Sequence, residues 1–249
     1  MKGKSILRAL LTSLLTGTAF AGAMGPINAP SNWNWVSTLS VGPVWEQAGK
    51  TQSFYLTPEI DKTYTANQST NTLANVDLFL GKQTRLSKSI QTQVGLDVAA
   101  TSNASLSGLI WDDEIPRFAN HSYSYKIQHS HVAVKSKVLI DKGYLLTPWI
   151  SGSVGVGFNT AHDFQNTPLI DEAVVNPNFA SHTQVTFTYT VSVGLQKALN
   201  QHWQAGLGYE FADWGQSRLA RAAEQTLNNG LALNHLYTNG ILFNLTYCA

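Results

Sequence analysis

Charge is scarce in this chain. Lysine, arginine, aspartate and glutamate make up 12% of its 249 residues, about half the usual share in a soluble domain. Serine, threonine, asparagine, glutamine and glycine take their place, which argues against an ordinary wetted exterior. The single cysteine, Cys248, excludes an internal disulfide, so an exported form must be held together by other means. After the first 21 residues no apolar run reaches the ~18 residues that a membrane helix needs. The signs of charge are close to balanced as well. Without residues 1–21 the chain keeps 13 basic residues against 15 acidic ones, a charge of −2 that gives no basis for binding nucleic acid.

Those first residues have a design of their own. Lys2, Lys4 and Arg8 form a basic head, Ala9 to Phe20 an apolar run too short to span a bilayer, and Ala19-Phe20-Ala21 a small-x-small cleavage site. This is the pattern of a secretory signal peptide, residues 1–21. No cysteine sits at the site, which argues against a lipoprotein-type anchor. Residues 22–33, with Pro26 and Pro30, read as a flexible lead-in.

What the rest contains is alternation. From Gln184 to Gln196 apolar Val185, Phe187, Tyr189, Val191, Val193 and Leu195 interleave with Gln184, Thr186, Thr188, Thr190, Ser192 and Gly194. Side chains on a strand point to opposite faces with period two, so this is a strand with one apolar and one polar face. After a short break the pattern resumes, with Trp203, Ala205, Leu207, Tyr209 and Phe211 against Gln204, Gly206, Gly208 and Glu210. Similar strands are expected at about 34–46, 71–82, from Ile90 through Val98, around 121–140, at 147–158 and up to Tyr247. Pro43 suggests a bulge or an end of regular pairing in the first. Between Tyr123 and Val138 the apolar residues change phase, which predicts a bulge near His129-Ser130.

Eight strands result, joined by connections that alternate long and short. The long ones cover about 47–70, 102–120, 159–182 and 213–234. A membrane barrel has a reason for this, because one rim carries tight periplasmic turns and the other long outer loops. A soluble sandwich also alternates, but three features favour lipid. Aromatic residues gather at the ends of the apolar face, with Trp35, Trp203 and Tyr247 marking one girdle and Trp45, Tyr125, Phe158, Phe211 and Tyr237 the other. The polar face is glycine and amide, not lysine and glutamate. The apolar faces stay free of charge for about ten residues, the length of a tilted spanning strand. The fold class is therefore all-β: an eight-stranded antiparallel up-and-down transmembrane β-barrel over 34–249, closed because hydrocarbon tolerates no free sheet edge.

Two stretches carry a family resemblance. Thr147-Pro148-Trp149-Ile150-Ser151-Gly152-Ser153-Val154-Gly155-Val156-Gly157 resembles the Pro-aromatic, glycine-repeating strand of the OmpA-like and opacity-protein outer-membrane barrels. Gly208-Tyr209-Glu210-Phe211-Ala212-Asp213-Trp214-Gly215 is similar to their penultimate strand entering the last loop. The resemblance implies the outer membrane of a diderm bacterium, a monomer, and a structural or surface-antigen role. It also implies barrel-insertion machinery that reads a terminal aromatic; here Tyr247 is followed by Cys248-Ala249, a departure. The peptidoglycan-binding domain of the full OmpA architecture has no counterpart after the barrel.

An eight-strand interior is just wide enough for side chains to fill. Asp77, Asp97 and Glu210 face it in this register, with Lys126 or Lys135 and Lys137 to neutralise them, as buried charges require. A polar plug is the expectation, and a proton or ion pathway the alternative. His121, His129 and His131 beside Ser122 and Ser130 raise the question of a serine hydrolase. The outer-membrane lipid A deacylases carry His-x-Ser followed by asparagine, which His129-Ser130-His131 does not match, so no catalytic residue is assigned. Asp112-Asp113-Glu114 lacks the spacing of a calcium loop and reads as a solvated loop tip, so neither a metal nor a cofactor is expected. Ser217 to Asn229 predicts a short helix, capped by Ser217, with Leu219, Ala223 and Leu227 on one face. Arg218 and Arg221 are candidates for lipopolysaccharide phosphates, and Trp111 and Trp214 for contact with a host or envelope protein. The functional expectation is surface interaction through the outer loops. A narrow channel for small or apolar solutes comes second and a lipid-modifying enzyme third.

Overall fold

The computed structural model describes residues 34–112, 115–173 and 176–249; the signal and lead-in segments, together with Asp113 and Glu114, lie outside these residues. Thirteen strands follow in order. They are β1 (Asn34–Glu46), β2 (Gln52–Thr57), β3 (Ile60–Tyr64), β4 (Asn71–Ser87), β5 (Ile90–Thr101), β6 (Ala104–Asp112), β7 (Ala119–Ile140), β8 (Thr147–Pro168), β9 (His182–Ala198), β10 (Trp203–Asp213), β11 (Ser217–Arg218), β12 (Ala232–Leu233) and β13 (Tyr237–Cys248).

Eight of these close a ring. Going round, β1 pairs with β4, then β5, β7, β8, β9, β10 and β13, and β13 returns to β1. Every pairing is antiparallel. No barrel edge is left open, which is what hydrocarbon demands. The protein is an eight-stranded antiparallel β-barrel of the outer-membrane kind. Its outward face is apolar and bare: Leu39, Leu78, Leu96, Val134, Val154, Phe187, Leu207 and Phe243 are all exposed, Val134 at 54%. Such a belt is stable only against lipid. Trp35, Trp203 and Tyr247 edge it on the short-turn side, with the Trp203 and Tyr247 rings 5.1 Å apart. On the other side Phe187, Tyr189, Phe211 and Tyr237 form a run of neighbouring rings.

The short connections are residues 88–89, 141–146 and 199–202. The long ones are built, and they build outward from the ring. β7 and β8 have 22 residues each, about twice what a tilted spanning strand needs. Beyond the membrane belt β7 exchanges β5 for β6, and β6 in turn pairs with the β2–β3 hairpin. A sheet therefore rises from one side of the barrel. Its outer edge, β2, is covered by the last loop, where the amides of Thr226 and Leu227 bond the Leu56 carbonyl at 3.0 and 3.1 Å. This disposes of an edge that would otherwise recruit other chains.

Three expectations need correction. β7 carries no bulge near His129-Ser130: it runs unbroken, with alternating burial from His121 to Leu139. The apolar residues change faces because the surroundings do. Within the membrane the outside is lipid and the inside polar; above it the outside is water and the inside a packed core. Tyr125 accordingly faces inward and is no part of the girdle. The irregularity sits across the ladder in β8, where register shifts opposite Ser124/Lys126 and Asp163 takes φ +56°. The helix expected over 217–229 does not form. That segment is the short β11–β12 pair and turns, with Leu219 buried completely. At Pro43 pairing with β4 continues, while the ladder to β13 is interrupted between Val41 and Val44.

Candidate functional site

The barrel interior is stacked in tiers, and β7 contributes to each of them. Nearest the short turns lies a floor of amides. Gln93 Nε2 donates to Gln83 Oε1 at 2.7 Å and Gln83 Nε2 to Gln91 Oε1 at 2.9 Å. Across the barrel Lys137 Nζ donates to Gln196 Oε1 at 2.7 Å, and Gln196 Nε2 to Gln204 Oε1. Lys137 also sits 4.4 Å above the Trp149 ring. That ring lies flat across β9 and β10, and only glycine admits it: a Cβ at Gly194 would meet it at 2.4 Å and one at Gly208 at 2.5 Å. A cavity of about 30 Å³ opens here between Phe79, Gln93, Lys137, Trp149, Glu210 and Leu242, room for about two water molecules.

The next tier holds the charges. Lys135 Nζ donates to Asp77 Oδ2 at 2.6 Å and Asp97 Oδ1 at 3.0 Å, and Asp97 is fully buried. Glu210 accepts from Ser192 Oγ at 2.9 Å. From Asp97 the network climbs: His131 Nε2 is 3.4 Å from Asp97 Oδ2, and His131 Nδ1 is 2.9 Å from His129 Nε2. His129 Nδ1 reaches Asn159 Oδ1 at 2.6 Å, and Asn159 Nδ2 donates to the carbonyls of Trp214 and Gln216, each at 2.7 Å.

Donor order fixes the protons. Asn159 spends its amide hydrogens on two carbonyls, so its oxygen accepts from His129 Nδ1–H. His129 Nε2 is then an acceptor, and His131 Nδ1–H must donate to it. The remaining His131–Asp97 contact is attractive only with a proton in it. His131, Lys135 and Lys137 thus stand among the carboxylates of Asp77, Asp97 and Glu210, as charges withdrawn from water need partners of the opposite sign.

Above this lies a second core, made from the loops. Phe54 stacks on Tyr64 at 5.3 Å, Tyr64 meets Tyr123 at 5.8 Å and Phe179 at 5.4 Å, and Phe164 meets Phe179 at 4.9 Å. Leu219, Leu231, Leu233 and Leu236 of the last loop join them. Long outer segments thus fold inward as a lid. Lys62 ties β3 to β6 through Asp112 at 2.8 Å. Partial burial works against the Asp112 charge, but hydrogen bonds from Lys62 and Asn120 prevail and hold its carboxyl below the usual range.

The sequence-predicted residues divide accordingly. Asp77, Asp97, Lys135, Lys137 and Glu210 lie inside. Lys126 does not; it points outward and pairs with Asp163 at 3.3 Å, because strand alternation puts it opposite to Lys135 and Lys137. Trp214 is buried under His129, a correction to its expected place on the surface, and Trp111 is half-buried on β6. Arg218 is exposed; Arg221, also exposed, donates its Nε to the Asn228 carbonyl. Ser130 and Ser122 occupy the face of β7 opposite to the histidines, so the strand's geometry forms no serine–histidine pair from neighbours in sequence. Sequence reasoning missed Asn159 and the aromatic lid, because Phe164 and Phe179 lie in a segment read only as a long connection.

No family model and no curated protein matches the chain. Solved outer-membrane structures do. The crystal structure of Neisserial surface protein A covers 87% of this chain and 97% of its own at 8% identity, with a TM-score of 0.46. The outer membrane protein OprG from Pseudomonas aeruginosa covers 86% and 95% at 10% identity and a TM-score of 0.41. Ail, the attachment invasion locus protein of Yersinia pestis, covers 86% and 98% at 11% identity and a TM-score of 0.32.

Proposed function

We propose that this outer-membrane barrel is a surface-interaction protein, a rigid stand that presents a folded outer lid to a host or envelope protein. One observation carries the reading: the long segments pack on one another and on the barrel top around a common aromatic core. Interaction loops gain affinity when their conformation is fixed before binding. Lipopolysaccharide phosphates would be a second contact, met by Arg218, which is exposed near the start of the last loop. A channel would require the amide floor, the ion tier and the lid to part together.

The test replaces residues 52–64 and 169–181 with short turns and assays binding of expressing cells to host cells and matrix. Binding should disappear while the barrel keeps its shifted gel mobility before boiling. Unchanged binding, or loss of uptake of a small solute in its place, would contradict the proposal.

A further inference from the structure

The rim of short turns carries charge of one sign. Lys82, Arg85, Lys88, Lys142 and Lys197 stand there against one carboxylate, Asp141, whereas other exposed acidic residues, such as Glu59, Asp163, Asp171, Glu172 and Glu224, lie in the outer segments. Asp141 is engaged within its own turn. Its Oδ1 accepts from the Gly143 amide at 3.0 Å and its Oδ2 from Gln91 Nε2 at 3.4 Å. Among the described residues none of the five cations is in an ion pair.

Their position says what they face. On β4 the outward row Val76, Leu78 and Leu80 ends in Lys82, and on β9 Val191, Val193 and Leu195 end in Lys197, all of them exposed. Strand alternation therefore puts both lysines on the lipid face, at its margin nearest the short turns. Lys82 holds its Nζ 5.1 Å above the girdle residue Trp35. A lysine at that depth lays its methylenes along hydrocarbon and extends its ammonium to the headgroup phosphates.

A second, independent feature is apolar. Tyr144 is 74% exposed and Leu145 73%, and Leu86, Leu146 and Leu199 are exposed with them, in turns where polar residues would suffice to reverse the chain. Two of these turns are joined: the Asp141 amide donates to the Ser89 carbonyl at 2.8 Å, next to the Ile90–Ile140 pair that ends the β5–β7 ladder. Bare apolar side chains interleaved with cations make a surface suited to the interface of an anionic lipid layer.

We propose that this rim is a binding collar for anionic glycerophospholipid of the periplasmic leaflet, the short-turn side of such a barrel being the periplasmic one. Lys82 and Lys197 meet the phosphates from the lipid face, and Tyr144, Leu145 and Leu199 dip between the headgroups. The collar fixes the depth of the barrel and gathers acidic lipid around it, independently of what the outer lid binds.

The test places the full chain in phosphatidylcholine bilayers and compares spin-labelled phosphatidylglycerol with spin-labelled phosphatidylcholine in the motionally restricted shell around the protein. Phosphatidylglycerol should be preferred about three- to tenfold, less so at high salt. K82Q/K197Q should lose at least about half of that preference, with shifted gel mobility showing that the barrel is folded, whereas K50Q/R117Q, in the outer segments, should keep it. A nitroxide at position 145 of a Cys248→Ser chain should collide with oxygen dissolved in lipid. Equal association of the two lipids, a preference untouched by K82Q/K197Q, one abolished by K50Q/R117Q, or a nitroxide reached only by a water-soluble nickel complex would overturn the collar. Displacement of phosphatidylglycerol by soluble peptidoglycan fragments at constant ionic strength would also overturn it, making the rim a cell-wall contact.

Discussion

His129 lies flat on Trp214, with ring centroids 4.4 Å apart and planes within 4°. One residue belongs to the barrel wall and the other to the last outer loop, so this stack and the Asn159 hydrogen bonds seat the lid on the ion network below. Trp214→Ala should remove about 3–5 kcal/mol of packing from that seat. Limited proteolysis should then cut the 214–236 segment at least tenfold faster, while the barrel's shifted gel mobility is unchanged.

Lys135 holds two buried carboxylates. Lys135→Met strands both and should cost about 3–5 kcal/mol in urea unfolding from micelles. Adding Asp77→Asn and Asp97→Asn should recover much of the loss, because the penalty is uncompensated charge and not missing contact. A triple variant no more stable than the single one would contradict this.

Gly208 makes room for the Trp149 ring, which a Cβ there would meet at 2.5 Å. Gly208→Ala should destabilise the barrel by about 1–3 kcal/mol through overpacking. Trp149→Leu in the same chain should relieve most of that, which equilibrium unfolding of the four variants would show.

Asp112 gives the lid a pH dependence of known sign. Its carboxyl is held below the ordinary range, so its contribution is full above the unfolded-state pKa and is lost as pH falls through the folded one. Asp112→Asn should therefore loosen the lid at pH 7, and the difference should shrink as pH falls below the ordinary carboxylate range. Hydrogen exchange of the β3–β6 amides across that pH range would read this.

Planar bilayers should record no steady large channel. Closure is threefold, with amide floor, ion tier and lid, and removing the lid by loop replacement leaves two barriers in place.

The membrane half of the fold was legible because lipid imposes a strict rule. Val185 to Leu195 alternate without fault, and Asp77, Asp97, Lys135 and Lys137 fall inside by counting in twos. The outer half obeys the same period with the meaning of each face reversed. Tyr123, Tyr125 and Ile127 therefore imitated a bulge when they were marking the edge of the bilayer. Leu219 and Leu227 imitated a helix face, whereas Leu219 is held by a strand pair and a core drawn from distant segments. Asn159 gave no local signal at all, since its partners lie in a loop 55 and 57 residues further on.

Nitroxides placed singly along β7 from 122 to 138, in a Cys248→Ser background and in bilayers, test this most directly. Positions 132, 134 and 138 should collide with oxygen dissolved in lipid, positions 122, 124 and 126 with a water-soluble nickel complex, and odd positions with neither, in one unbroken period of two. Oxygen contact at 123, 125 and 127 would mean that the strand bulges after all and that lipid, not a folded lid, meets its outer half.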